Sequence, residues 1–280
     1  MIKSEYDDGK KHIHVLSYGG GTQSTALLIK SLTDGINGVK PDYVIMSDTG
    51  WETKEVMDWV HKIKKYIMGH FNVELIVVQE KSIRNDILNG VEHGSRFASL
   101  PFFTKDRENG KVGMVMRQCT QEYKIAPVNR EIKKRLGYKP RQKVKEIVHI
   151  WKGISIDEIQ RVKPIQLGWQ EAEHPLVDEL WWDRLNCINY VERLGLGTPP
   201  SSSCVGCPFH DNVMWRDLKK NHPEEFADAV YIDKKIRNLE KLNGECYLHR
   251  SCIPLDQIDF GVNQTDIYEF IGECEGMCGV

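Results

Sequence analysis

The stretch LSYGGGTQSTALLI, residues 16–29, sets an apolar run against three consecutive glycines, two hydroxyl residues and then an apolar helical pattern. That is a strand, a tight turn and a helix. Backbone N–H groups in a Gly-rich turn, together with the positive end of the following helix, make a cradle for phosphate or sulfate. Glycine lets an anion approach backbone from which a Cβ would hold it away. Gln23 stands where a lysine would precede Ser24, so this is not the mononucleotide loop ending in Gly-Lys-Ser/Thr. The same residues also fit an ordinary βα turn with Ser24 as a helix cap.

Outward from this loop, His14 to Ser17, Tyr43 to Ser47 and Val73 to Val78 are short apolar runs that end at turn signals. Between them, Thr25 to Leu32 and Thr53 to Ile67 carry apolar residues at helical spacing. Strand, helix, strand in this order predicts an α/β fold, a doubly wound and mainly parallel sheet with flanking helices, whose ligands sit beyond the carboxyl ends of the strands. Ile147 to Ile154 repeats the strand pattern. SDTGWE, residues 47–52, follows the second strand. Asp48 and Glu52 there can accept hydrogen bonds from a ribose or an adenine amino group, and Thr49 can equally cap the next helix. Residues 90–113 show no sustained period and read as a long loop over the site. Helices are expected at Glu179 to Leu194, Asn212 to Lys220 and Pro223 to Leu242. The division expected is an α/β domain over 1–200 and a smaller helical, cysteine-bearing lobe and tail over 201–280.

The chain has 280 residues, 38 Lys plus Arg against 40 Asp plus Glu, and 40% hydrophobic residues, which excludes a disordered or fibrous protein. No apolar run approaches the roughly 20 residues that span a bilayer, and MIKSEYDDGKKHIH lacks the apolar stretch of a secretory signal, so a cytoplasmic protein with no membrane contact is expected. The net charge of −2 is uneven. Residues 124–145 carry nine Lys or Arg against one Glu, a local +8 that suits a polyphosphate or a nucleic-acid backbone, or is simply a solvated helix face.

Eight cysteines in a reducing compartment point to metal or redox chemistry rather than disulfides. Cys204 and Cys207, in CVGCP, can hold one metal or one edge of a cluster, but one pair cannot close a site. A redox dithiol, a zinc site and buried apolar cysteines are the alternatives. Cys187 falls in an amphipathic pattern and reads as core. His12 and His14 alternate along a strand and read as packing or edge residues rather than ligands.

GTQST, DTGWE, RQCTQEYKIAP (117–127), GISIDEIQR (153–161), HPLVDELWWD (174–183) and SSSCVGC (201–207) stand in the order seen in the adenine nucleotide alpha hydrolase (PP-loop) superfamily. Over residues 12 to about 225 the chain resembles the phosphoadenosine phosphosulfate (PAPS) and adenosine phosphosulfate (APS) reductases. The resemblance implies an adenine-nucleotide-binding domain, with Ser17, Gly19, Gly20, Gly21, Gln23, Ser24 and Gly153 around the nucleotide's phosphates and Asp48 and Glu52 near the adenosine. Cys119 stands where cluster-bearing reductases have two adjacent cysteines. With Cys204 and Cys207 it implies three ligands for a [4Fe–4S] cluster with one iron open. A fourth ligand from Cys252, Cys246, His210 or the tail would close it. Lys124 and Arg161 are the cations implied for the substrate anion.

The tail GECEGMCGV (272–280) is similar to the mobile Glu-Cys-Gly end of the reductases, which makes Cys274 the nucleophile on sulfur and Cys278 a resolving thiol. The chain departs from the family in two places. Thr22 and Gln23 replace the Lys and Asp of the pyrophosphatase branch, and Ser155 replaces the arginine of the reductase GIR block, with Arg161 about one position early. The activity implied is thiol-dependent reduction of the sulfonucleotide to sulfite, through an enzyme S-sulfonate released by an internal thiol or a thioredoxin-like reductant. The alternative is ATP-dependent sulfur transfer to, or modification of, a nucleic-acid base, using the cluster and the basic segment. A non-catalytic nucleotide-binding protein is the third reading.

Overall fold

The computed structural model of the chain describes residues 2–3, 6–95, 100–163, 165, 167–239 and 244–261. The run before the glycines is β1 (His12–Ser17) and the helix after them α1 (Thr22–Thr33). Then come β2 (Tyr43–Ser47), α2 (Lys54–Phe71), β3 (Leu75–Val78), α3 (Ile83–His93), β4 (Phe103–Asp106) and β5 (Val112–Met114). A π-helical turn (Thr120–Ile125) leads into α4 (Ala126–Arg135), followed by β6 (Ile147–Lys152), a 3-10 turn (Ile156–Arg161), β7 (Gln170–Glu173), α5 (Pro175–Asp178) and α6 (Arg184–Arg193). The chain continues through α7 (Asn212–Asn221), α8 (Pro223–Ile236) and β8 (Gly244–Tyr247).

Five strands form one parallel sheet in the order β3-β2-β1-β6-β7. The chain steps outward from β1 to β3 and then returns to the other side of β1. The strand order therefore reverses between β1 and β6, and the crevice beyond their carboxyl ends is the topological switch point. Both faces of the sheet are covered. Leu16, Met46 and Trp151 pack with α1, α2 and α6 on one face, and Ile13, Val15, Ile45 and Ile150 pack with α4 on the other. Ten of the twelve residues of α1 are buried, because α6 covers its outer side, and four of its five hydroxyls are satisfied locally. Thr25 and Ser24 donate to the Gly21 carbonyl at 2.7 and 3.2 Å, and Ser31 donates to Leu28.

The region 90–113 is not a featureless loop. α3 runs to His93, and β4 and β5 form an antiparallel hairpin that pairs with β8, about 140 residues further on. A second core joins α3 and this small sheet to α7 and α8, with Trp215, Phe102, Ile232, Ile236 and Leu248 at its centre. It takes residues from both sides of position 200. The helix expected from Glu179 begins only at Arg184, because Asp183 caps it and its capping partner Asn186 returns a hydrogen bond. Among the described residues no helix is long and apolar enough to cross a membrane.

His249 ties β8 to α7 through Asn212, at 2.9 Å, and burial pushes its pKa down from 6.5 to about 4, with Arg250 adding to the shift. Between those values the unfolded chain binds the proton and the folded chain does not. This share of stability is complete above pH 6.5 and is lost as pH falls towards 4. Urea unfolding is expected to show about 2 kcal/mol less stability at pH 5 than at pH 7 from this residue. A His249→Asn variant should lack that increment.

Candidate active site at the seam of the two cores

Register pairing sets Ser17, at the end of β1, beside Lys152, at the end of β6. The glycine loop begins two residues later. Gly20 has φ +80°, and a Cβ there would stand 3.1 Å from Val56 and 3.3 Å from Val60. Both the conformation and the space require glycine. Gly21 caps α1 without a side chain, and the buried Thr22 hydroxyl has no partner, so the helix start offers donors that an anion would satisfy. Ser24 does not cap the helix; it lies inside the first turn. Gly153, after β6, is held against that turn, where a Cβ would come within 2.7 Å of the Ser24 N and Cα. The loop is buried from Gly19 to Ser24, and the Ser202 hydroxyl donates to the Gly19 carbonyl across it.

Gln23 points away from the loop. Its amide donates to Ser155 Oγ and Glu158 Oε2, each at 3.3 Å, and Glu158 pairs with Arg161. The cation implied for an anion at the GIS block is thus committed to a neighbouring carboxylate. Lys152 is a cation that reading the sequence missed: it is buried at the carboxyl end of a central strand and close enough to lower the pKa of His174, after burial itself. Its only signal was its place as the last residue of IVHIWK, and that acquires meaning only with the strand order.

SDTGWE forms the second wall. Asp48 accepts from the Gly50 N–H at 2.7 Å, and Thr49 donates to Glu52 Oε1 at 2.9 Å, while Thr53 rather than Thr49 caps α2. The Glu52 side chain turns inward, 1% exposed, 3.7 Å from Lys124 Nζ, and its other oxygen has no hydrogen-bond partner. A cavity of about 450 Å³ opens beside it, lined by Asp48, Trp51, Glu52, Gln79, Val205 and three carboxylates of α8. Its size suits a small-molecule ligand. Its carboxylates accept from hydroxyl and amino groups and repel phosphates.

The cysteine segments close the seam. Glu52 and Cys204 are bridge partners through their backbones, and Cys204 Sγ lies 3.2 Å from Thr49 Oγ1 and 3.8 Å from Glu52 Oε1. Gly206 packs on the Trp51 ring so closely that no Cβ fits. Cys119 begins the π-helical turn that carries Lys124, and its neighbour Arg117 stacks on Phe209, two residues past Cys207. Cys119, Cys204 and Cys207 thus border the same core. Burial, reinforced by Glu52, raises the Cys204 thiol well above its ordinary value, with Lys124 opposing. Cys187 is in the first core, and Cys252 lies by Thr104 and Lys105, with Cys246 nearby. His210 bonds to Ser203 through Nε2, and its Nδ1 has no hydrogen-bond partner. Cys274 and Cys278 lie outside the described residues.

Lys124→Met would leave Glu52 a buried carboxylate without its cation. That change is expected to cost about 3–5 kcal/mol in chemical unfolding. Adding Glu52→Gln should recover most of the loss, because the uncompensated charge is what is costly.

The basic segment divides. Lys124 is at the seam, but α4 runs down the sheet and the loop after it lies at the amino end of β6. Arg130 pairs with Glu80, and Lys134 and Arg135 pair with Glu131. Lys139, Arg141, Lys143 and Lys145 are exposed and make no ion pair among the described residues.

Fold and site define a doubly wound α/β protein with a glycine-loop site at its switch point. No protein-family model matches the sequence, and no curated protein matches it. Among solved structures it is similar to the U34-tRNA thiolase NcsA from Methanococcus maripaludis with its [4Fe–4S] cluster, at 18% identity and a TM-score of 0.38, over 86% of this chain and 76% of that one.

Proposed function

We propose that this chain is an adenine-nucleotide-dependent enzyme that transfers sulfur to, or otherwise modifies, a nucleic-acid base, with Cys119, Cys204 and Cys207 holding a [4Fe–4S] cluster. The observation that carries this reading is the meeting of the two cysteine segments at one seam with Lys124, Glu52 and the glycine loop. Cys246 is buried in the same core, but on β8, by Arg237 and Cys252. Three cysteines on the border of one apolar core suit a cluster shielded from solvent.

When bound, such a cluster supplies an iron without a protein thiolate, on which a sulfur atom or a substrate can be carried. The chain's own groups do the rest. The α1 start and the loop N–H groups hold phosphates, with Lys152 neutralising them. The carboxylate-lined cavity takes hydroxyl and amino groups of the nucleoside. Lys124 balances Glu52 and lowers the cost of a thiolate at Cys204. The reductase reading has less support, because Arg161 is engaged by Glu158; its candidate nucleophile, Cys274, lies outside the described residues.

The exposed cations at 139–145 lie at the pole of the sheet opposite the seam, where they suit the backbone of a large nucleic acid rather than a small substrate. Reversing Lys139, Arg141, Lys143 and Lys145 to Glu is expected to weaken binding of bulk tRNA or DNA and to reduce the slope of log affinity against log salt by about 3. No binding by the wild-type chain at low salt would remove the nucleic-acid part of the proposal.

A further inference from the structure

His14 and His149 are register partners on β1 and β6, and His149 is the partner of Glu171 on β7, with Glu173 two residues further along the same face. One donor atom each from His14, His149 and Glu173 lies within 4.8 Å of the others. All three residues are more than nine-tenths buried, and both His14 Nδ1 and Glu173 Oε2 have no hydrogen-bond partner.

A chain of contacts runs through the cluster. Asp8 meets His12 Nε2 at 2.9 Å, His12 Nδ1 meets His149 Nε2 at 2.7 Å, and His149 Nδ1 meets Glu173 Oε1 at 3.0 Å. Three such contacts between two terminal carboxylates need a cation or hydrogen in each, and two neutral imidazoles carry only two hydrogens. One positive charge is therefore missing from the chain. It can be an extra proton, or a metal ion lying between His149 Nδ1 and Glu173.

We propose that His14, His149 and Glu173 bind a zinc-type divalent ion, separate from the seam that carries the cysteines, with Glu171 as the fourth ligand. The ion would satisfy both orphaned atoms. Glu171 Oε2 is already 3.6 Å from His149 Nδ1. With the ion on His149 Nδ1, the His149 Nε2–H donates to His12 Nδ1, and the His12 Nε2–H donates to Asp8, so the outer residues fix the ligand's tautomer. Tyr6 stacks on His12 at 3.8 Å and on His149 at 4.7 Å, closing the site on its outer side. Donors on a tetrahedral zinc stand about 3.4 Å apart, which modest ring rotations reach from the present spacing. An ion held there ties β7 and the N-terminal segment to the central strands.

The test is a zinc titration of the full, chelator-stripped chain, followed by thermal melting and by X-ray absorption at the zinc edge. The expected result is a nitrogen/oxygen shell at about 2.0–2.1 Å, distinct from sulfur at about 2.3 Å, which persists in a Cys204→Ser, Cys207→Ser variant. Zinc at a hundredfold excess over its dissociation constant should raise the melting temperature by about 5 °C. Glu173→Gln and His14→Asn should each weaken zinc binding at least about tenfold, and the absorption spectrum of the wild-type chain stands even where a variant fails to fold. A sulfur-only shell, no bound zinc, or unchanged binding by Glu173→Gln overturns the proposal and assigns the missing charge to a proton.

Discussion

Replacing Cys204 by serine is expected to lower anaerobically bound iron and acid-labile sulfide at least about tenfold, whereas Cys252→Ser should keep both. The contrast follows from position. Cys204 is buried at the seam beside Thr49 and Glu52, on a loop that places Cys207 three residues on and close to the segment of Cys119. Cys252 lies by Thr104 and Lys105 in the small sheet. A buried thiol whose pKa is raised by desolvation and by Glu52 is a poor nucleophile in isolation, and a metal centre is what would hold it as thiolate. Full iron in the Cys204→Ser chain would remove the cluster from the seam. Iron lost in the Cys252→Ser chain would make the site four-thiolate and close its open iron.

Gly153→Ala carries the other large effect. Its Cβ would stand 2.7 Å from backbone atoms of Ser24, so relief has to come from moving β6 away from the first turn of α1. Overpacking of this kind costs about 1–3 kcal/mol. The more telling consequence is for binding, because the displaced turn is the one that presents the N–H groups proposed to hold phosphates. Nucleotide affinity measured by calorimetry should fall at least about tenfold, the loss of one good charge-assisted contact. Unchanged affinity in a folded Gly153→Ala chain would place the nucleotide elsewhere.

Four of the five strands of the parallel sheet were legible because each is a short apolar run, and β2 has the expected bounds. β7 was not, since QEAE is polar and earns its place by pairing with β6. The β4–β5 hairpin was missed for a related reason: its stabilising partner, β8, is remote in sequence and leaves no local period. The glycine loop was legible as a strand-to-helix turn in its residue types, yet not that Ser202 lies across it. Lys124 was set apart from the other cations by the resemblance, as a cation for the substrate anion, whereas its buried partner Glu52 required the fold. His12 and His14 looked like ordinary strand residues, because the groups that give them meaning, His149 and Glu173, come from two other strands. Spacing along a chain reveals sites built on one segment, and sites built across strands need the register.

The most direct measurement is turnover by the anaerobic, iron-loaded full chain, following AMP and pyrophosphate release from ATP with and without bulk tRNA or DNA, alongside sulfite release from APS and PAPS with thioredoxin. Release of AMP and pyrophosphate that depends on nucleic acid, without sulfite, is the outcome expected of a base-modifying enzyme with its cluster at the seam. Sulfite formation without any nucleic-acid dependence would contradict it and return the chain to the reductases.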